Sequence, residues 1–311
     1  MQRHSLLLTA PRQITWFTEE LPPPGPQDIL VRTRTGAISV GTELPQYRGD
    51  ARASEPPTYP AMTGYESLAE VIECGAEVQN LTVGDRVVAF YGHRTAAVVP
   101  LSRVVQVPDT IDDALALLVI LACDTAKGVA KLNPGSDDTV LITGAGTIGL
   151  LTLFNLQVQG ISRITLVDPV PQRRELALRL GASCTVAPDD VYQLSPIYTM
   201  GVECSSRNKA FGLLQNKLIP GGKLCILADG NLEPLELQTA FHHKELTVLG
   251  SSDGLDYRDY ARWFWEHAQP VANTLLDIFD LHIATEQIPN TFESMVKGAV
   301  HPIKVLTHYK F

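Results

Sequence analysis

The chain has few cysteines and no paired set of them. Cys74, Cys123, Cys184, Cys204 and Cys225 are scattered through 311 residues with no C-x-x-C pair. An odd, dispersed set is no disulfide framework and reads as reduced thiols in a cytoplasmic protein. No apolar run approaches the ~18 residues that suggest a membrane span. The apolar run after Arg3 and His4 is too short for a signal peptide and reads as a first strand. Basic charge is also scarce: 25 Lys and Arg stand against 34 Asp and Glu, a net charge of −9. That balance argues against nucleic acid or an anionic membrane as a partner. The chain shows no internal repeat and no low-complexity tract. What remains is an ordinary globular mix, 45% apolar and 19% charged, long enough for two domains.

Residues 139–149, Thr-Val-Leu-Ile-Thr-Gly-Ala-Gly-Thr-Ile-Gly, carry the most information. An apolar strand runs into a G-x-G-x-x-G turn at Gly144, Gly146 and Gly149. A helix from Ile148 to about Gln159 follows, then a second apolar strand, Ile164 to Val167, ending on Asp168. Gly144 permits a tight turn, Gly146 lets a pyrophosphate approach the backbone, and Gly149 lets the helix pack on the strand. The first helical residues, Thr147 and Ile148, offer N–H groups to phosphate at a partly positive helix end. Asp168 is placed to accept hydrogen bonds from a ribose diol, which favours NAD over NADP. Arg173 and Arg174 either soften that preference or are solvated residues of the helix Gln172–Leu180. The bland alternative is a βαβ unit whose glycines serve packing alone.

Residues 1–110 are β-rich, with alternation in Ile29–Thr33, Ala69–Glu73 and Arg86–Phe90 separated by Pro- and Gly-containing turns. Residues 49–60 read as a loop. Asp112–Lys131 reads as a buried linking helix. From residue 138 onward strands alternate with helices: Thr139–Thr143, Arg163–Val167, Ser183–Val186, Met200–Glu203, Lys223–Leu227 and Leu246–Leu249 read as strands. A helix Asn208–Leu218 is expected to close at Pro220-Gly221-Gly222. Such alternation predicts an α/β fold with a doubly wound parallel sheet. Beyond Ser251 the pattern predicts an aromatic helix Tyr257–Ala268, a short apolar segment Leu275–Leu281, a helix Pro289–Lys297 and a last strand Ile303–Thr307.

This order of segments resembles the medium-chain dehydrogenase/reductase superfamily over nearly the whole chain. Gly64-Tyr65-Glu66 with Ala69-Glu70-Val71 is similar to its G-H-E…G-x-V signature, and Val83-Gly84-Asp85-Arg86-Val87 to its V-G-D-R-V turn. Lys131-Leu132-Asn133-Pro134-Gly135, Glu203-Cys204 and the ending 288–305 also fit. The resemblance implies a GroES-like β-rich catalytic domain (1–115), a Rossmann domain (116–250) and a return to the catalytic domain (251–311), with the active site in the cleft between them. It also locates departures. The zinc-ligand positions of the superfamily fall on Val40, Tyr65 and a position near Leu121, unless the register slips toward Cys123-Asp124, and the four-cysteine structural lobe is missing. Valine and leucine cannot bind zinc and a neutral phenol is a poor ligand, so a zinc-free member is expected. Ser39-Val40-Gly41-Thr42-Glu43 and Gly64-Tyr65-Glu66-Ser67 are most similar to BchC-type dehydrogenases. Those enzymes oxidise the 3-(1-hydroxyethyl) group of a bacteriochlorophyllide with NAD.

Alcohol oxidation without a metal needs a side chain to take up a proton. Tyr65 is the first candidate, though a phenol near pH 10 needs help from a cation, and the ring could instead fill the metal's volume. Glu43 and Glu66 either orient a proton carrier or pair with an arginine. Ser39 and Thr42 are hydroxyl relays or satisfy turn backbone. His93 is a general-base candidate in an expected loop, or plain surface. Cys123 is reactive or simply buried, His242 and His243 are expected to be structural, and the aromatics Tyr257, Tyr260, Trp263, Phe264 and Trp265 form core, subunit interface or a tetrapyrrole-stacking face. The expected function is zinc-independent, NAD-dependent hydride transfer between nicotinamide and a secondary alcohol or ketone, on a small molecule such as a tetrapyrrole, in a homodimer. The alternatives are an NAD(P)H-dependent enone or quinone reductase and a non-catalytic dinucleotide-binding sensor.

Overall fold

Asp28–Ile38 is apolar or small at nearly every second position on both faces, and a strand of that kind belongs inside a sheet. In the computed structural model, which describes residues 1–50, 58–228 and 233–310, it is the hub of the first of two units. Glu66–Cys74 pairs antiparallel along one edge. Ala96–Pro100 and Val305–His308, also antiparallel, share the other. The sheet runs Leu281–Ala284, Val305–His308, Asp28–Ile38, Glu66–Cys74, Arg86–Ala89, Val104–Val107. A smaller sheet joins Gln13–Glu20, Gln2–Ala10 and Ala61–Met62. Ile29, Val31, Ala69, Val71, Val87, Ala97 and Val99 form the core under the larger sheet. This unit comprises Met1–Val119, Ala261–Trp265 and Phe279–Phe311. The fold is a GroES-like domain of irregular β-structure.

The second unit, Ile120–Tyr260 and Glu266–Ile278, is built on a six-stranded sheet, parallel throughout. Its order is Cys184–Val186, Arg163–Val167, Thr139–Thr143, Tyr198–Glu203, Leu218–Ile226, Thr247–Gly250. In chain order that is third, second, first, fourth, fifth, sixth, the Rossmann arrangement. Its strands read as apolar runs because helices cover both faces. The order reverses between Thr139–Thr143 and Tyr198–Glu203, where ligands of such sheets bind.

Several elements differ from expectation. The Asp112–Lys131 stretch is two helices, Asp113–Leu117 and Val119–Leu132. The Asp112 carboxylate caps the first by accepting from the N–H groups of Ala114 and Leu115. Hydrophobicity alone carries no signal for the break at Leu118. Pro220-Gly221-Gly222 does not close a helix. It lies inside the strand Leu218–Ile226, where the register shifts and Gly221 takes a φ of 75°. The short apolar segment is divided between a helix, Ala272–Leu276, and a strand, Leu281–Ala284. Of the segment 49–60, residues 51–57 lie outside the described residues.

Candidate active site

The glycine turn is built as its spacing requires. Gly144 follows the strand Thr139–Thr143 at a φ of 92°, a left-handed conformation that a side chain disfavours. A Cβ on Gly149 would lie 1.8 Å from the Gly144 carbonyl oxygen, so the constraint there is the turn itself rather than the strand. A Cβ on Gly146 would meet nothing within 4 Å, and that open space is where a phosphate can approach. Helix Thr147–Val158 starts here, with Thr147 and Ile148 partly exposed in its first turn. Asp168 is more enclosed than a solvent-facing ribose acceptor. Its Oδ2 accepts from the Ala145 N–H at 2.7 Å and its Oδ1 from the Val170 N–H at 2.8 Å. The acid therefore ties the second strand to the glycine turn, and each oxygen keeps a further lone pair for a ribose hydroxyl. Arg174, partly exposed, donates from its Nη1 to the Asp168 carbonyl at 2.7 Å. Arg173 stands partly exposed on the helix Pro171–Arg179. The open cradle and the acid fit a dinucleotide.

In the first unit, strand register brings the other candidates together. Ala37 pairs with Glu66, so Ser39 and Tyr65 lie just past the paired ends of neighbouring strands. The Tyr65 hydroxyl donates to Ser39 Oγ at 2.8 Å. Burial of the hydroxyl, then the charges of Glu66 and Glu43, push the Tyr65 phenol well above its ordinary pKa of 10, against hydrogen bonds from Ser39 and Thr42 that pull it down. Among the described residues that shift it, none is a cation, so the phenol is held toward its neutral form. Ser39 is also the N-cap of helix Val40–Arg48, and its N–H donates to Glu43 Oε1 at 2.7 Å. Glu43 Oε2 lies 2.9 Å from His93 Nε2, and both side chains are buried. A carboxylate only accepts, so Nε2 carries the hydrogen. His93 is thus no surface residue. It sits against Gly64, where a Cβ would come within 2.7 Å of Nε2.

Glu66 pairs with a lysine. Its Oε1 accepts from Lys304 Nζ at 2.6 Å, in an ion pair with no solvent exposure on either side. Lys304 was the functional candidate that pattern reading missed. A single lysine inside the apolar run Ile303–Thr307 was the available signal, since a buried charge demands a partner. The six candidates therefore form three groups: a hydroxyl set (Tyr65, Ser39, Thr42), a Glu43–His93 clamp on the Ser39 backbone, and the separate Glu66–Lys304 pair. Cys123 lies within helix Val119–Leu132, where burial pushes its thiol up to about 11. It is unreactive by that measure. His242 and His243 are exposed at the end of a five-residue helix and pack no core. Of the aromatics, Phe264 and Trp265 are core, and Tyr260 donates to Asn155 Oδ1 at 2.6 Å.

A catalytic zinc needs three protein ligands of thiolate, imidazole or carboxylate type. Val40 has no donor atom, and the Tyr65 hydroxyl is held protonated on Ser39. The nearby carboxylates and imidazole are taken by Lys304 and by each other. Among the described residues, no group of three or more His, Cys, Asp or Glu is placed to hold a metal ion. Val40 and Tyr65 offer zinc no thiolate, imidazole or carboxylate.

Residues 25–109 match the family model of the alcohol dehydrogenase GroES-like domain. The chain is 27% identical to an L-threonine 3-dehydrogenase of Deinococcus radiodurans, over 93% of each chain. Among solved structures it is similar to a protein of Sinorhizobium meliloti 1021 assigned as a zinc-binding dehydrogenase and bound to NADP. That match has a TM-score of 0.87 and 22% identity over 99% of each chain. The 2R,3R-butanediol dehydrogenase of Bacillus subtilis matches with a TM-score of 0.81 and 20% identity, over 98% of this chain and 99% of that one. At these identities the structures speak for the fold.

Proposed function

We propose that this NAD(P)-dependent oxidoreductase is a member of the medium-chain dehydrogenase/reductase family that oxidises secondary alcohols with NAD and without zinc. The observation that carries this reading is the Tyr65–Ser39 hydroxyl pair, standing where the family resemblance locates a metal ligand. When bound, the nicotinamide supplies the hydride acceptor. The protein must move one proton. Tyr65 resists ionisation, so its oxygen takes the alcohol's proton only as its own passes to Ser39 Oγ and the Ser39 hydrogen is released to water. Thr42, partly exposed, is a second hydroxyl partner of Tyr65. Glu43 and His93 are positioning residues: they hold the Ser39 backbone, and with it the oxygen that receives the proton. Asp168 supports the preference for NAD, because a carboxylate repels a 2′-phosphate.

The names of the relatives, threonine 3-dehydrogenase and 2R,3R-butanediol dehydrogenase, favour secondary alcohols as substrates. The hydroxyethyl side chain of a bacteriochlorophyllide is another alcohol of this class. Its support is the pair of short motifs that contribute Ser39 and Tyr65. The test is a panel of secondary alcohols assayed with NAD and with NADP, before and after treatment with a zinc chelator, alongside elemental analysis. NAD reduction that survives chelation, with well under one zinc per chain, is expected. Stoichiometric zinc whose removal abolishes turnover overturns the metal-free reading.

A further inference from the structure

Glu203-Cys204 stands out in the sequence and has no part in the chemistry above. Glu203 ends the strand Tyr198–Glu203 and is fully buried. It pairs with Thr143, the last strand residue before the glycine turn. Its side chain turns back on its own chain. Oε1 accepts from the Ser205 N–H at 2.8 Å and from the Ser205 hydroxyl, and Oε2 accepts from the Ser206 N–H at 3.2 Å. The Arg207 N–H donates to Ser205 Oγ at 3.2 Å. The Glu203 carbonyl accepts from the N–H groups of Leu227 and Ala228, each at 3.0 Å. One residue thus fixes two strand-end loops at the switch point of the sheet.

The turn it fixes is the wall of the glycine turn. The Cys204 N–H donates to the Thr143 carbonyl at 2.9 Å. A Cβ on Gly144 would lie 2.9 Å from the Cys204 carbonyl oxygen and 3.2 Å from Ser205 Cα. Cys204 Sγ lies 3.9 Å from Thr152 Oγ1, on the helix that starts at the turn. Ser206 has a φ of 56°, a left-handed conformation that a non-glycine residue keeps only where its surroundings impose it. The imposed feature is the Glu203 carboxylate, toward which the Ser205 and Ser206 N–H groups converge. Without it the Ser205 and Ser206 N–H groups lose their acceptor, and the turn against Gly144 is held by fewer bonds.

We propose that Glu203 is a positioning residue for the dinucleotide, holding the Cys204–Arg207 turn as the wall against which the Gly144–Gly149 cradle is formed. This rests on the reading that the chain binds a dinucleotide. The test is titration of the full-length protein with NADH alone, for wild type, Glu203→Gln and Ser205→Ala, with thermal unfolding of each. Glu203→Gln keeps the side chain's size but turns an amide group on the converging N–H donors. Its dissociation constant for NADH should rise about 10-fold, and that of Ser205→Ala about 2- to 3-fold, in protein that still unfolds cooperatively. A merely structural role would lower the unfolding temperature and leave the affinity of the folded protein unchanged. If Glu203→Gln does not fold, Ser205→Ala decides: weaker binding supports the proposal and wild-type affinity overturns it. Wild-type affinity in both variants overturns this proposal alone. Wild-type protein that binds no NADH, nor NADPH in a parallel titration, overturns the dinucleotide reading with it.

Discussion

Tyr65 shows how little a residue's type says about its role until its neighbours are known. A tyrosine beside a lysine is a plausible base. This one has two carboxylates near it, and Lys304 is committed to Glu66. The phenol therefore works as a hydroxyl or not at all. Tyr65→Phe removes that hydroxyl and keeps the ring. Turnover should fall about 10²- to 10⁴-fold, the range for a lost proton-transfer group. NADH affinity should hold, because the cradle at Gly144–Gly149 is elsewhere. Steady-state kinetics beside NADH titration would check both, and unchanged turnover would assign the ring to packing. The residue type was legible in the sequence, and so was its position relative to the family motif. The sign of its pKa shift was not, because Glu66, Glu43 and Ser39 reach it only through strand register and a helix cap.

Elements that carry backbone constraints were read best. Strands Thr139–Thr143 and Arg163–Val167 and helix Tyr257–Ala268 lie where apolar runs and periodicity locate them. The glycine turn joining the first strand to its helix has so little room that one substitution should decide it. In Gly149→Ala the added Cβ meets the Gly144 carbonyl oxygen at 1.8 Å, and backbone cannot yield as a side chain can. We expect a loss of more than about 2 kcal/mol in urea unfolding, together with weakened NADH binding. Wild-type stability in that variant would mean that the helix start is less tightly held than the structure indicates. Elements whose ends depend on neighbours were read less well. The break at Leu118 and the strand running through Pro220-Gly221-Gly222 follow from how the chain packs, and neither leaves a mark in composition.

For the molecule as a whole, acidity should act through Asp124. Burial, then the charge of Asp253, push its carboxyl from 3.8 up to about 6, against a hydrogen bond from the Tyr257 hydroxyl at 2.7 Å. Between about pH 4 and pH 6 the folded protein holds a proton that the unfolded chain has released. This group's contribution to stability is therefore fullest below about pH 4 and is lost as the pH rises through about 6. Asp124→Asn should be more stable than wild type above pH 6, with the difference vanishing near pH 4. Denaturation midpoints of both proteins across that range would show it, and a pH-independent difference would contradict it. The sequence by itself determined the two-part plan: a β-rich portion, a doubly wound sheet and a glycine turn followed by an acid. Each of these is specified by local pattern, the period of apolar residues or the backbone freedom of glycine. Tertiary structure decided the rest. It gave Asp168 its partners in the turn, buried His93 against Glu43, paired Glu66 with Lys304 across 238 positions and left Tyr65 uncharged. Those outcomes depend on desolvation and on charges brought close by strand pairing, and neither quantity exists until the chain has folded.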